Sequence, residues 1–284
     1  MIGVIAHVEK PDARQVVRAF VNELDKHGLR ALLHEKTAPL AGRESKFSAR
    51  QLAAECDVIV VLGGDGTILR VVQELGDRLP VVFGINMGTL GFLTCLGSGE
   101  IPRAVECLRD RNFAISPRPL LRAELRPAKG RSGIMYALND TVVSRGERSQ
   151  LVQLRVTLGG VPLTDYNADG LVVATPTGST AYSLSAGGPI LMPDSGCFVI
   201  TPICPHVLTN RSVVVGDSSE VVIRVARADQ MAQVSVDAQG WFSLASADEL
   251  RIKKSRRVLP LAMLPERPFT EVLRQKLKWT GSNL

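Results

Sequence analysis

The apolar pattern changes its period partway along the chain, and this change limits the available folds more than any other feature. Over roughly the first 110 residues, short apolar runs alternate with stretches whose apolar positions recur every three or four residues. Segments 3–8 (GVIAHV), 29–33, 57–62 (DVIVVL) and 81–85 read as buried strands. Between the first two, Val16, Val17, Phe20, Val21 and Leu24 fall on one helical face, with Pro11 and Asp12 placed to open the helix and Gly28 to close it. Further helices are expected over 47–54, 67–75 and 101–108. Buried strands separated by helices imply a parallel sheet covered on both faces. After Pro117 and Pro119 the period becomes two: Leu121, Ala123 and Leu125, then Val152, Leu154, Val156 and Leu158, then Val221, Ile223 and Val225, then Val234 and Val236. This is the pattern of half-buried antiparallel strands, with almost no helix between 118 and 264. Helical spacing returns over 269–279. The expected organisation is therefore an α/β domain over 1–116 and an all-β domain over 117–264. A C-terminal segment, 265–284, is expected to pack back on the first domain.

With 284 residues, 45% of them hydrophobic and 22% charged, the chain has the composition of globular proteins and can bury two modest cores. Its longest apolar runs, such as 58–62, fall far short of the ~20 residues of a spanning helix, and the start MIGVIAHVEKPD lacks a basic n-region and a cleavage site. A cytoplasmic protein without membrane contact is expected. Five cysteines (Cys56, Cys95, Cys107, Cys197, Cys204) form no CxxC pair, so reduced structural thiols are expected rather than disulfides or a zinc site. A net charge of +6 without an aromatic-interleaved basic run is a weak nucleic-acid footprint, and a polyanionic small substrate fits it equally well; no nucleic-acid partner is expected. The basic cluster at 253–257 reads as a solvated turn or strand end.

Four segments carry chemistry. Gly63-Gly64-Asp65-Gly66-Thr67 ends a buried strand and opens a helix, where exposed N–H groups and the helix dipole make a phosphate cradle. A tight turn with no ligand would look similar, but a carboxylate in an anion cradle is electrostatically odd unless it accepts a proton or holds a metal. The loop lacks the P-loop lysine, and its spacing is not GxGxxG. The segment 175–183 (TPTGSTAYS) places six hydroxyl residues within nine positions, able to bond sugars, phosphates or base edges, or simply to form a turn. Leu138-Asn139-Asp140 is weak alone, since Asn-Asp is a common turn pair. In 84–93 (GINMGTLGFL), Phe92 suits either a base or the core. His206 is as readily a loop residue as a site-lining one; His7, His27 and His34 read as structural.

In this order and spacing, GGDGT, GINMGTLGFL, LND, DGLVVATPTGSTAYSLSAGGP, TPICPHVLTNR and VSVDAQG together resemble the NAD kinase family over roughly residues 57–279. The resemblance implies a Rossmann-like N-terminal domain, a β-sandwich C-terminal domain, an active site between them and a homodimer or homotetramer. It implies NAD+ and ATP as substrates, with a divalent cation, Mg2+, accompanying ATP. Asp65 resembles the general base that takes the proton of the 2′-hydroxyl of the adenosine ribose; Gly63, Gly64, Gly66 and Thr67 would hold the phosphoryl donor, and Arg70 is counted with the cofactor-binding residues. Phe92 resembles the aromatic beside the adenine. Asn139 and Asp140 resemble the pair that binds the adenine and ribose. Asp169, Thr177, Thr180, Ala181, Tyr182 and Gln239 resemble the lining of the dinucleotide pockets. Asn167 stands where many members carry Arg, and Ala238 where Gly or His is frequent, so neither is assigned a contact. Two rivals are a lipid kinase, which shares the glycine loop, and a nucleotide sensor without turnover. The hydroxyl-rich turn disfavours the first and the retained Asp65 the second.

Overall fold

A computed structural model of the chain describes residues 1–89, 91–146 and 150–279; Leu90 of the GINMGTLGFL segment and residues 280–284 of the expected C-terminal segment lie outside the described residues. The chain divides into two compact units, Met1–Pro117 with Leu259–Leu284, and Arg118–Val258.

In the first unit, β1 (Ile2–Ala6), α1 (Ala13–Lys26), β2 (Ala31–Leu33), α2 (Ala49–Glu55), β3 (Val58–Gly63), α3 (Asp65–Leu75), β4 (Val81–Asn86), the short β5 (Leu96–Gly97) and α4 (Ile101–Asp110) follow the expected alternation. The strands pair in parallel in the order β4-β3-β1-β2. Every residue of β1 is buried, as a strand covered on both faces requires. Val60, Leu62, Phe83 and Ile85 pack with the apolar faces of α1 and α4, while the alternate residues Ile59, Val61 and Val82 are equally buried. Helix α2 starts at a Ser48–Gln51 capping box, just after the position expected from periodicity. Helix α3 begins at Asp65 rather than Thr67, because Gly64 caps it and donates its N–H to Thr67 Oγ1 at 3.3 Å.

The second unit draws on β6 (Ala114–Arg126), β7 (Gly133–Ala137), β8 (Asp140–Ser144), β9 (Val152–Leu158), β10 (Val161–Ala168), β11 (Gly170–Ala174), the one-turn α5 (Tyr182–Ser185), β12 (Cys197–Ile203), β13 (Val213–Gly216), β14 (Val221–Val225), β15 (Met231–Val236), β16 (Gln239–Ala245) and β17 (Glu249–Met263). One antiparallel sheet runs β13-β12-β11-β8-β15-β16; β10-β9-β14 continues into the first half of β17. Between these layers lies a core of Val143, Leu171, Val173, Phe198 and Ile200 on one side with Leu154, Val156, Ile223 and Leu250 on the other, a sandwich. Strand β11 departs from the half-buried expectation. All five of its residues are buried, because Val172 and Ala174 pack on the outer face with Val142, Val199 and Leu191. Of these, Leu191 comes from the segment following the TPTGST turn, and Val142 and Val199 from the neighbouring strands. The last part of β17 belongs to the first unit, where Leu261 pairs with Val82, and α6 (Phe269–Leu277) follows it. Among the described residues no helix is long and apolar enough to cross a membrane. All five cysteines are free thiols; burial pushes Cys95 up to about 12, and its Sγ donates to the Ala262 carbonyl.

Candidate active site

In the first unit the glycine turn stands at the carboxyl end of β3, the edge at which parallel α/β sheets bind ligands. Gly63 is required by packing: a Cβ there would fall 2.4 Å from Thr67 Oγ1. Thr67 is itself buried and caps the turn, so Gly63 and Thr67 shape the loop, whereas Gly66 is exposed with open space beside its Cα. Asp65 is half-buried, and its two oxygens each accept a backbone N–H from the loop after β4: Oδ2 from Phe92 at 2.8 Å and Oδ1 from Leu93 at 3.0 Å. Gly91 makes this approach possible, since a Cβ there would lie 1.9 Å from Oδ1. Two motifs separated by more than twenty residues thus meet on one carboxylate. The Phe92 ring is half-buried and lies against Phe269 of α6, centroids 5.8 Å apart. Arg70, further along α3, pairs with Glu74 at 3.0 Å.

Three further motifs converge in the second unit. The Thr175 N–H donates to the Asn139 carbonyl at 2.8 Å and its hydroxyl to the Leu138 carbonyl at 2.6 Å. Gly178 packs so closely on Asn139 that a Cβ would lie 2.2 Å from its carbonyl oxygen. Beneath them is Asp237, from VSVDAQG, whose carboxylate accepts the N–H groups of Leu138 (2.8 Å), Asn139 (2.8 Å) and Asp140 (3.1 Å). Asp237 and Ala238 form the two-residue turn between β15 and β16, both with positive φ (49° and 56°). This mirror-image turn suits the sheet's twist, and Asp tolerates the left-handed region. Alanine does so only at a cost of about 1–2 kcal/mol. Ala238→Gly is therefore expected to stabilise the protein by about 0.5–1 kcal/mol after glycine's extra unfolded entropy, read as a higher urea midpoint at unchanged slope.

Asp140 is 6% exposed, and burial, aided by the negative charge of Asp237, pushes its carboxyl up to about 7. The folded state thus holds this proton more tightly than the unfolded chain does. Stability contributed through Asp140 is greatest below the unfolded pKa of about 3.9, falls by up to about 1.4 kcal/mol per pH unit towards pH 7, and is level above it. Asp140→Asn is expected to remove this dependence, so its stability relative to wild type rises between pH 5 and pH 8. Denaturant titrations of both proteins at the two pH values check it.

Of the hydroxyls in 175–183, Thr175, Ser179 and Ser183 are buried and build the turn: Ser179 Oγ donates to the Pro176 carbonyl at 2.7 Å, and Ser183 Oγ bonds Thr201 Oγ1 at 2.9 Å. Thr180 and Ala181 are half-buried and Tyr182 is exposed. Thr177 is buried against Arg118, whose guanidinium reaches its hydroxyl at 3.4 Å; burial lowers Arg118 to about 10. Asp169 pairs with Arg145 at 2.8 Å, and Gln239 is half-buried at the start of β16. The His206 N–H donates to the Asn167 carbonyl at 2.8 Å, and the His206 side chain is exposed. Sequence reasoning assigned no role to Asp237, Arg118 or Arg145; only Asp237 carried a signal, through its place in VSVDAQG. Among the described residues no group of three or more His, Cys, Asp or Glu side chains could hold a metal ion.

Fold and site together define a kinase in which an α/β unit bearing a Gly-Gly-Asp-Gly turn accompanies a β-sandwich. Residues 2–112 match the ATP-NAD kinase N-terminal domain and 138–264 the ATP-NAD kinase C-terminal domain. Relatives include the NAD kinases of Syntrophotalea carbinolica (38% identical over 279 residues, 98% of each chain) and Symbiobacterium thermophilum (38%, 98% of this chain and 99% of the relative). Among solved structures, yeast NADH kinase complexed with NADH aligns over 100% of this chain and 88% of its own, with a TM-score of 0.90 at 27% identity. An NAD kinase from Archaeoglobus fulgidus in complex with ATP aligns over 99% and 100%, with a TM-score of 0.76 at 25% identity. The chain belongs to the ATP-NAD kinase family.

Proposed function

We propose that the chain transfers the γ-phosphoryl group of ATP to the 2′-hydroxyl of the adenosine ribose of NAD+, giving NADP+ and ADP. The observation that carries this reading is the Asp65 carboxylate, fixed by the Phe92 and Leu93 amides at the head of α3. A ribose hydroxyl is far too weak an acid to ionise near pH 7. A positioned carboxylate that accepts its proton as the new bond develops contributes roughly 10²–10⁴-fold. The 2′-oxygen attacks Pγ, its proton passes to Asp65, and the electron pair of the breaking P–O bond leaves with ADP. The remaining requirement is in-line placement and charge neutralisation, to which the N-terminal end of α3 and a divalent cation carried in on ATP contribute.

In the second unit, Asn139 supports dinucleotide binding. Its side-chain Oδ1 is buried and has no hydrogen-bond partner among the described residues, an acceptor suited to a ligand N–H such as an adenine amine. Asp140, with a pKa near neutrality, can present a carboxyl O–H or a carboxylate to a sugar hydroxyl. Gly63, Gly64, Gly66, Thr67, Arg70 and Phe92 are proposed for the donor and adenine side, and Asp169, Thr177, Thr180, Ala181, Tyr182 and Gln239 for the dinucleotide. Family membership favours a homodimer or homotetramer, and a cytoplasmic location is proposed with it; light scattering on the purified chain and localisation of a tagged copy test the two.

Incubation with ATP, Mg2+ and NAD+, followed by a coupled NADP+-dependent dehydrogenase, is expected to detect NADP+. Binding of NAD+ without product would instead indicate a sensor. Repeating the assay with inorganic polyphosphate tests the alternative donor.

A further inference from the structure

The glycine turn contains no lysine, yet the fold brings one to it from a different loop. Lys10 lies between β1 and α1, and the strands β1, β3 and β4 are parallel neighbours, so the loops that follow them share one edge of the sheet. The three loops are tied together there. The His7 N–H donates to the Leu62 carbonyl at 2.8 Å, and the Met87 N–H to the Gly63 carbonyl at 3.2 Å. Across them the half-buried Lys10 ammonium donates to the carbonyl of Met87, the same residue whose N–H bonds Gly63. An ammonium has three N–H donors, and this bond uses one.

Gly88 lies beside that ammonium. A Cβ there would stand 3.5 Å from Nζ, and the backbone φ of 151° is one that residues with side chains avoid. A cation held by a carbonyl, beside a glycine and at the rim of a phosphate cradle, is poorly explained as a surface lysine. Its Nζ takes part in no ion pair among the described residues.

We propose that Lys10 binds the β- and γ-phosphates of the phosphoryl donor and offsets the negative charge that gathers on them during transfer, the task performed in other kinases by a lysine inside the glycine loop. The inference rests on the NAD kinase reading for its substrate. As the bond from the ribose 2′-oxygen to Pγ forms and the bond from Pγ to the ADP oxygen breaks, the 2′-hydroxyl proton goes to Asp65. Lys10 keeps its own proton throughout and acts as a fixed charge.

The test uses the full chain as wild type, Lys10→Met and Lys10→Arg, with Lys10→Gln carried in parallel should the methionine variant fail to fold. Calorimetric titration with MgATP and with AMP separates contact with the outer phosphates from general disturbance of the loop. The neutral variants are expected to bind MgATP at least tenfold more weakly, with AMP and NAD+ affinities unchanged. Their kcat/KM for ATP is expected to fall about 10²-fold, as when one charge-stabilising donor is removed from a transition state. Lys10→Arg should recover most of both. Unchanged MgATP affinity in the neutral variants, or equal losses for MgATP and AMP, would overturn the proposal. Wild type that binds ATP but forms no NADP+ would refute the kinase reading, while the MgATP-to-AMP comparison still decides the role of Lys10.

Discussion

Asp65→Asn is expected to lower kcat by at least about 100-fold while leaving the affinity for NAD+ nearly unchanged. The two side chains have the same size and shape, so the ribose can still be seated. The amide cannot accept the 2′-hydroxyl proton, and the loss therefore falls on the chemical step. The amide also has one acceptor oxygen where the carboxylate has two, and both carboxylate oxygens are in use, by the Phe92 and Leu93 amides. One backbone N–H of the loop after β4 would then face an NH₂ group, a loss of about 1–3 kcal/mol in stability. Steady-state kinetics with NAD+ titrated at saturating ATP, alongside urea denaturation, separates the two effects. Near-normal turnover in a folded Asp65→Asn protein would remove this carboxylate from its role.

The second large effect is expected at a residue that need not touch the substrate. Asp237→Ala withdraws the acceptor of the Leu138, Asn139 and Asp140 amides at once, in a place where Leu138 and Asp140 are buried. Each unanswered buried donor costs about 1–3 kcal/mol, so a destabilisation of about 3 kcal/mol or more is expected, visible as a fall in the urea midpoint. Because Leu138 and Asn139 abut Thr175 and Gly178, the affinity for NAD+ should fall as well, by at least tenfold. Asp237→Asn, which keeps one acceptor oxygen, should fall between the two proteins in both measurements. Wild-type stability in Asp237→Ala would show that water replaces the carboxylate without cost.

The sequence disclosed whatever depends on neighbours along the chain. Val16, Val17, Phe20, Val21 and Leu24 mark the buried face of α1, and DVIVVL running into Gly63 marks a strand that ends at a site. The same holds for the two-unit fold, because a change in apolar period is a local property. Contacts between distant segments were less legible. An Asp at a tight turn has the same local pattern whether it faces water or binds three amides one hundred residues away, so Asp237 appeared only as part of a motif. Lys10 drew no reading from the sequence, because nothing local links it to Met87. The run LVVA in β11 did carry information: it is apolar without alternation, the pattern of a strand covered on both sides. The hydroxyls of 175–183 could not be sorted from spacing, since burial alone separates Ser179 and Ser183, which build the turn, from Thr180 and Tyr182, which it presents.

The anchor at Asp237 also has a bearing on how the molecule comes into being. Its bonds close circuits of 97 to 99 residues, so the LND amides stay without their acceptor until the ribosome has extruded nearly the whole sandwich. Until then a nascent chain can already possess its glycine turn, completed from the first ninety or so positions, yet hold no finished seat for the dinucleotide. Ligand capture thus becomes a late event in biogenesis, and a prematurely terminated product would be left with only half of its chemistry.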